Sequence, residues 1–193
     1  MKLTTVYSML ASLCATERTR FAIECVRLNR ADDGLLVYAT DGRRAIRMRI
    51  DDSRETGRRL GFEAAIPSDL WYMLCDQSAT IDEFASTPDI LSVKIGDRRM
   101  TIEMDKNAKF PDIDAVVTPN ERRTMTTLPW VCPSYLRSIA DLLDGFVADQ
   151  EFRGQLSFEG DGRPVFFHAE SIVGPSTTID VAIMGMQPPS GDK

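Results

Sequence analysis

Apolar positions along this chain alternate between two periods, one helical and one extended. Val6, Met9, Leu10 and Leu13 recur at three- and four-residue intervals, which predicts a helix over Thr5 to Thr16 capped by Thr4 or Thr5. Met1 to Leu3 reads as a short strand before it. Phe21 to Leu28 then alternates as a strand, Ala31 to Gly34 is a turn, and Leu35 to Thr40 is the next strand. Asp41-Gly42 follows, between two β-prone runs, and predicts a type I′ hairpin in which glycine supplies the positive φ. On the exit strand the two-residue period puts Arg44, Ile46, Met48 and Ile50 on one face and Arg43, Ala45, Arg47 and Arg49 on the other. One face is core and the other is a short arginine ladder.

The same grammar repeats downstream. After a charged, turn-rich connection over Asp51 to Arg59, Phe62 to Ile66 reads as a strand and Pro67-Ser68 opens a helix through Leu70, Met73 and Leu74. Leu91 to Ile95 and Met100 to Met104 are strands about a turn at Gly96-Asp97, and Asn120 to Thr124 is a polar linker. Pro133-Ser134-Tyr135-Leu136 repeats Pro67-Ser68-Asp69-Leu70 at an offset of 66 residues, and Leu156-Ser157 repeats Leu91-Ser92 at 65. Leu35 precedes Asp41 by six residues, as Leu91 precedes Asp97. Self-similarity at a fixed offset marks repeated supersecondary units, so the chain predicts three helix-plus-strands modules in the α+β class. Their bounds are 1–54, 61–119 and 126–188.

Composition narrows what such modules do. At 193 residues there is room for a proper core, and 27% charged residues suits a soluble domain. A net charge of −6 argues against a protein coated with nucleic acid on all sides, and leaves room for a local basic surface. Cys14, Cys25, Cys75 and Cys132 are scattered without paired spacing, and His168 is the single histidine, so no zinc site is expected and the cysteines read as reduced and buried. Met1-Lys2-Leu3-Thr4 leads straight into an amphipathic run, and no apolar run approaches the ~20 residues that span a bilayer; a cytoplasmic protein without a signal peptide or membrane contact is expected. No phosphate loop, nucleotide-binding glycine motif or nucleophile elbow occurs, so neither an enzyme nor a cofactor is expected. His168 lies in the alternating run Val165 to Ala169 and reads as structural.

Ala39-Thr40-Asp41-Gly42-Arg43-Arg44-Ala45 resembles the Ala-Thr-Asp-Gly-His-Arg-Leu signature of the bacterial sliding clamp family, the β subunit of the replicative DNA polymerase, with arginine for histidine at Arg43 and alanine for leucine at Ala45. Phe110-Pro111-Asp112 with Val116 and Pro119 is similar to the exit of that family's middle domain, and Val181 to Met186 resembles its closing run with Gly185 in place of proline. The resemblance implies a DNA-clamp fold of about one and a half clamp domains: a complete domain over 1–119 and a half domain over 120–193 with a short tail.

It also implies a function, a processivity factor that encircles double-stranded DNA without reading its sequence. Polymerase, clamp loader or repair proteins would dock through short peptides. Carried over by position, the peptide pocket would use Ile23, Thr40, Gly42, Arg43, Arg44 and Ala45 on one wall. Pro111 and Val116 would lie at the junction, with Tyr135, Ile183, Met184, Gly185 and Met186 opposite. Spacing alone reads Met184 and Met186 as core. Lys2, Arg18 and Arg20, flanking the first helix, and Arg137 on the third are the DNA-facing candidates, against Asp69 and Asp76 near the second helix and Asp141 and Asp144 on the third. Rings of the resembled family hold twelve such modules, so three per chain implies a dimer-based homo-oligomer, with a tetrameric ring as the specific expectation. The rival readings are a clamp-fold adaptor or decoy that never encircles DNA, and a β-ribbon DNA binder using Arg43, Arg47 and Arg49. Gln155 to Phe158 resembles a shortened clamp-binding peptide, but the repeat requires a strand there.

Overall fold

The computed structural model describes residues 2–17, 22–31, 34–50, 63–82, 86–87, 89–104, 109–117, 130–147, 152–158, 164–171 and 176–185. The expected connections at 51–59 and 120–124, the turns at 32–33 and 160–163, Arg18, Arg20 and Met186 lie outside them.

The first helix is α1, Thr5–Ser8, continued by a 3-10 segment over Met9–Leu13. The predicted α-helix to Thr16 is therefore shorter and tighter. The Ser12 hydroxyl donates to the Met9 carbonyl at 2.7 Å, a local competitor for the backbone that disfavours an α-helix interior. Three strands follow, β1 Cys25–Ala31, β2 Gly34–Thr40 and β3 Arg44–Ile50. β1 starts later than predicted because the Cys25 N–H turns back to the Ala22 carbonyl at 3.3 Å. The second unit is β4 Glu63–Pro67, α2 Ser68–Asp76, β5 Thr80–Ile81, β6 Ile90–Ile95 and β7 Arg98–Glu103, then a short α3 over Ile113–Val117. The third is α4 Pro133–Val147 with β8 Phe152–Phe158, β9 Val165–Ser171 and β10 Thr177–Ile183.

Two antiparallel sheets result. The larger has the order β4-β1-β2-β3-β10-β9-β8, so the first and third units share one sheet across the β3–β10 junction. The smaller has the order β5-β6-β7. The first two units exchange their leading segments. β4, which leads into α2, pairs with β1, while Lys2, which leads into α1, bridges Thr80 of β5 and the Leu3 N–H donates to the Ala79 carbonyl at 2.7 Å.

The helices lie on one face of the large sheet. Leu10, Leu13, Trp71, Leu74, Ile139 and Leu142 meet Val26, Leu28, Val37, Ile46, Met48, Ile179 and Val181 in one core. Each such side chain contributes about 1.5–3 kcal/mol relative to exposure. Trp71 is fully buried and donates its indole N–H to the Tyr7 carbonyl at 2.7 Å, which ties α2 to the first helix. The other face carries a smaller cluster of Tyr38, Ala45, Ile113, Val117, Phe166 and Ala182, covered by α3. All four cysteines are free, and three are buried.

Candidate partner-binding cleft

The β2–β3 turn is built by its own side chains. The Asp41 carboxylate accepts the N–H groups of Arg43 and Arg44, both at 2.9 Å, and Thr40 Oγ1 accepts the Gly42 N–H at 3.0 Å while donating to the Arg44 carbonyl at 2.7 Å. Gly42 has φ +84°, and Arg43 does not share a positive φ. A type I′ turn needs positive φ at both central residues, so the expected type I′ does not form and glycine alone carries the positive φ.

Arg44 is then locked from every side. Its Nε donates to Asp41 Oδ2 at 2.9 Å, Nη1 to Ser138 Oγ, and Nη2 to the Ser12 carbonyl at 3.1 Å, with the guanidinium 5.1 Å from the Tyr135 ring centroid. The residue ties the hairpin to the first helix and to α4.

On the outward side of this hairpin lies an open cleft of about 170 Å³. Thr40, Gly42, Arg43, Arg44 and Ala45 line one side, Pro111, Ile113 and Val116 another, and Ala182 and Met184 the third. Ala45 and Ala182 are register partners across the β3–β10 junction, and two methyl groups where longer side chains could stand leave the depression. The Met184 N–H donates to the Arg43 carbonyl at 2.8 Å, which fixes the end of β10 beside the turn. Met184 is 47% exposed and Val116 39%, so the rim is apolar and accessible.

Of the positions named from sequence, eight therefore surround one cleft: Thr40, Gly42, Arg43, Arg44, Ala45, Pro111, Val116 and Met184. Ile183 does not. Strand alternation turns it into the helix-side core, where it is buried. Ile23 sits behind the turn, its Cδ1 3.9 Å from where a Cβ on Gly42 would stand. Tyr135 lies under Arg44 rather than in the cleft, and Gly185 follows Met184 at the strand end. Ala182 and Ile113 were missed. The two-residue period back from Met184 would have found Ala182.

The arginine ladder is not a free basic surface. Arg47 Nη2 lies 2.8 Å from Asp180 and Nη1 2.8 Å from Asp114, so its charge is spent within the fold. Asp114 also accepts the Tyr38 hydroxyl at 3.0 Å, which pins α3, one wall of the cleft, to the sheet. Lys2, beside β5, and Arg137, on α4, are exposed, and so are the carboxylates Asp69 and Asp76 on α2 and Asp141 and Asp144 on α4. Among the described residues no cluster of histidine, cysteine and carboxylate side chains could hold a metal ion, and no helix is long and apolar enough to cross a membrane.

Against solved structures, this arrangement matches the DNA polymerase sliding clamp of Pseudomonas aeruginosa with a TM-score of 0.62, at 14% identity, over 97% of this chain and 66% of that one. The chain has the sliding-clamp fold. The Helicobacter pylori β clamp bound to a DNA ligase peptide matches with a TM-score of 0.54, at 9% identity, over 97% of this chain and 65% of that clamp. The A. fulgidus PCNA structure that holds the C-terminal region of FEN-1 matches at 0.54 and 11% identity, over 98% of both chains. This clamp-fold chain thus spans about two thirds of the bacterial clamps it resembles. No protein-family profile and no curated protein matches its sequence.

Proposed function

We propose that this clamp-fold protein is a non-enzymatic DNA replication factor that tethers partner proteins through the cleft between the β2–β3 turn, α3 and the end of β10. The carrying observation is that three segments far apart in sequence, Thr40 to Ala45, Pro111 to Val116 and Ala182 to Met184, converge on one accessible apolar cleft. A volume near 150 Å³ accepts a benzene-sized group, so the cleft suits one large apolar side chain of an extended peptide, with the exposed Arg43 at its rim for an acidic neighbour. Two clamp-fold neighbours hold partner segments, one from DNA ligase and one from FEN-1, which supports a peptide ligand of the same kind.

The domain reading is a complete clamp-type domain over 1–119 and a half domain over 120–193. Three modules per chain make four copies the natural count for a closed ring around double-stranded DNA in the cytoplasm. Peptide titration and retention on DNA test the two halves of this reading separately. A fluorescent clamp-binding peptide should bind, and Met184→Glu should abolish binding; unchanged affinity removes the cleft from the function. A ring should stay on nicked circular DNA at high salt and leave when the DNA is linearised, and loss from both forms removes the encircling role.

A second reading has its own support. Asp69, Asp76, Asp141 and Asp144 are exposed on α2 and α4, an acidic helix face poorly matched to phosphates. An adaptor or decoy that binds partners by the same cleft without encircling DNA would keep the peptide result and fail the circular-DNA test.

A further inference from the structure

The small sheet turns one face to the core. Ile81, Val93 and Met100 are register partners across β5, β6 and β7, and they pack with Leu3 in the main core. The period of two turns their sequence neighbours outward. Lys2 bridges Thr80, Thr80 pairs with Lys94, and Lys94 pairs with Arg99. Residues directly opposite one another share a face, so three cations and one threonine form a single row across four segments. At about 4.8 Å per neighbouring segment the row is roughly 14 Å long. All four residues are exposed, and Arg98 stands exposed at the β6–β7 turn.

The fold has no use for this row. Like charges directly opposite each other on neighbouring strands destabilise a sheet, and Lys94 faces Arg99. Arg99 Nη2 reaches Asp82 Oδ2 at 2.8 Å, with its side chain still 62% exposed, while Lys2 and Lys94 make no ion pair among the described residues. Lys2, Lys94, Arg98 and Arg99 thus gather near only Asp82 and Asp97, on a chain whose net charge is −6. Glu103 shares the face four residues further along β7. This is the local basic surface that the composition leaves room for.

The chemistry of the row selects its ligand. Protein interfaces have apolar centres depleted of charge, and here only Thr80 stands between the cations. Single-strand binders add aromatic platforms for stacking bases, and β5, β6 and β7 carry no aromatic residue. A bare row of cations suits phosphates, which fix position and carry no sequence information.

We propose that the outward face of the small sheet is a docking surface for the phosphate backbone of double-stranded DNA, held by Lys2, Lys94 and Arg99. The contact goes beyond the cleft and needs no ring, so it applies to the adaptor reading as much as to the encircling one.

Anisotropy of a labelled short linear duplex, titrated with the full chain, tests it. Three phosphate contacts should weaken binding about fortyfold between about 50 and 200 mM salt, a logarithmic slope of about 2.7. Lys2→Glu combined with Lys94→Glu should weaken duplex binding at least about tenfold at the lower salt and flatten the slope by about 1.8. A clamp-binding peptide should bind the cleft of that variant as it binds wild type. Lys94→Glu alone should also raise the melting temperature, because it replaces the like pair with Arg99 by an opposite one. Weaker DNA binding would then accompany greater stability, which a folding defect cannot mimic. Undiminished duplex binding in the double variant overturns the proposal, as does a wild type that binds no duplex at the lower salt. A single strand of equal length bound more tightly than the duplex overturns it too. So does polyglutamate bound as tightly and lost with the same two substitutions, which would make the face a dock for acidic protein.

Discussion

Arg47 and Asp180 are register partners across the β3–β10 junction, and the arginine Nε and Nη2 both reach Asp180 Oδ2, at 3.1 and 2.8 Å. The other oxygen of Asp180 lies 2.6 Å from His168 Nδ1, so one carboxylate serves two cations-to-be at the seam between the first and third units. The Arg47 and Asp180 side chains are 25% and 17% exposed, dry enough for charge-assisted hydrogen bonds to count. Asp180→Ala should therefore cost about 2 kcal/mol, read as a lowered denaturant midpoint, by leaving Arg47 with Asp114 alone. A midpoint within error of wild type would remove this pair from the joint.

The same site gives stability a pH dependence. Burial disfavours the His168 imidazolium, but hydrogen bonds and charge from Asp180 and Glu170 outweigh it, so the pKa is raised above the usual histidine value of 6.5. A group raised on folding stabilises the fold fully below its unfolded pKa and loses that contribution as pH climbs through the folded value. The melting difference between wild type and His168→Gln should be largest below the unfolded value of 6.5 and shrink as pH climbs through the raised folded value. A difference that grows with pH would reverse the assignment.

Gly42 carries φ +84°, which a β-branched residue tolerates poorly. A Cβ there meets nothing closer than Ile23 Cδ1 at 3.9 Å, so the penalty is backbone strain and not a clash. Gly42→Val should destabilise by about 1–3 kcal/mol. A melting shift no larger than that of an exposed-strand control would place the positive φ elsewhere.

Local patterns carried most of the element reading, because periods and turn residues act at short range. The 3-10 continuation of the first helix escaped it, since Ser12 bonding back to Met9 is a choice the pattern does not record. Register across β3–β10 escaped it too. Nothing within either strand says that Ala45 faces Ala182 or that Arg47 meets Asp180, and both facts depend on a pairing of segments more than a hundred residues apart. Ile183 lies in the helix-side core and Ala182 lines the cleft, a distinction the local two-residue period back from Met184 does carry, and the motif around Asp41 was legible because its hydrogen bonds are local.

One thiol should stand apart from the other three. Burial pushes Cys14 and Cys75 up to about 12, whereas Cys132 Sγ lies 3.0 Å from the Ser134 hydroxyl, which can donate to the thiolate, and its pKa is lowered from the usual 9. Thiolate is the reactive form, so a disulfide reagent at pH 8 should consume one equivalent fast, and Cys132→Ser should abolish that phase. Two or more fast equivalents would mean that the helix-side core opens on the same timescale.

The floor of the cleft offers the sharpest test of function. Ala45 is 5% exposed and faces Ala182, also an alanine, with α3 above them. A leucine at that position adds three carbons pointing into a space of about 170 Å³ that is open to solvent at its rim. Ala45→Leu should therefore fill the depression without overpacking the core, and melting should stay level or rise. A peptide whose apolar side chain inserts there would lose its seat, and about 1.4–3 kcal/mol of lost burial corresponds to a ten- to hundredfold weaker Kd. The conservative Ala45→Ser should bind nearly as wild type, since it leaves the volume free. If Ala45→Leu binds the peptide with undiminished affinity while folding normally, the ligand does not enter between β3 and β10, and the cleft is a surface feature only.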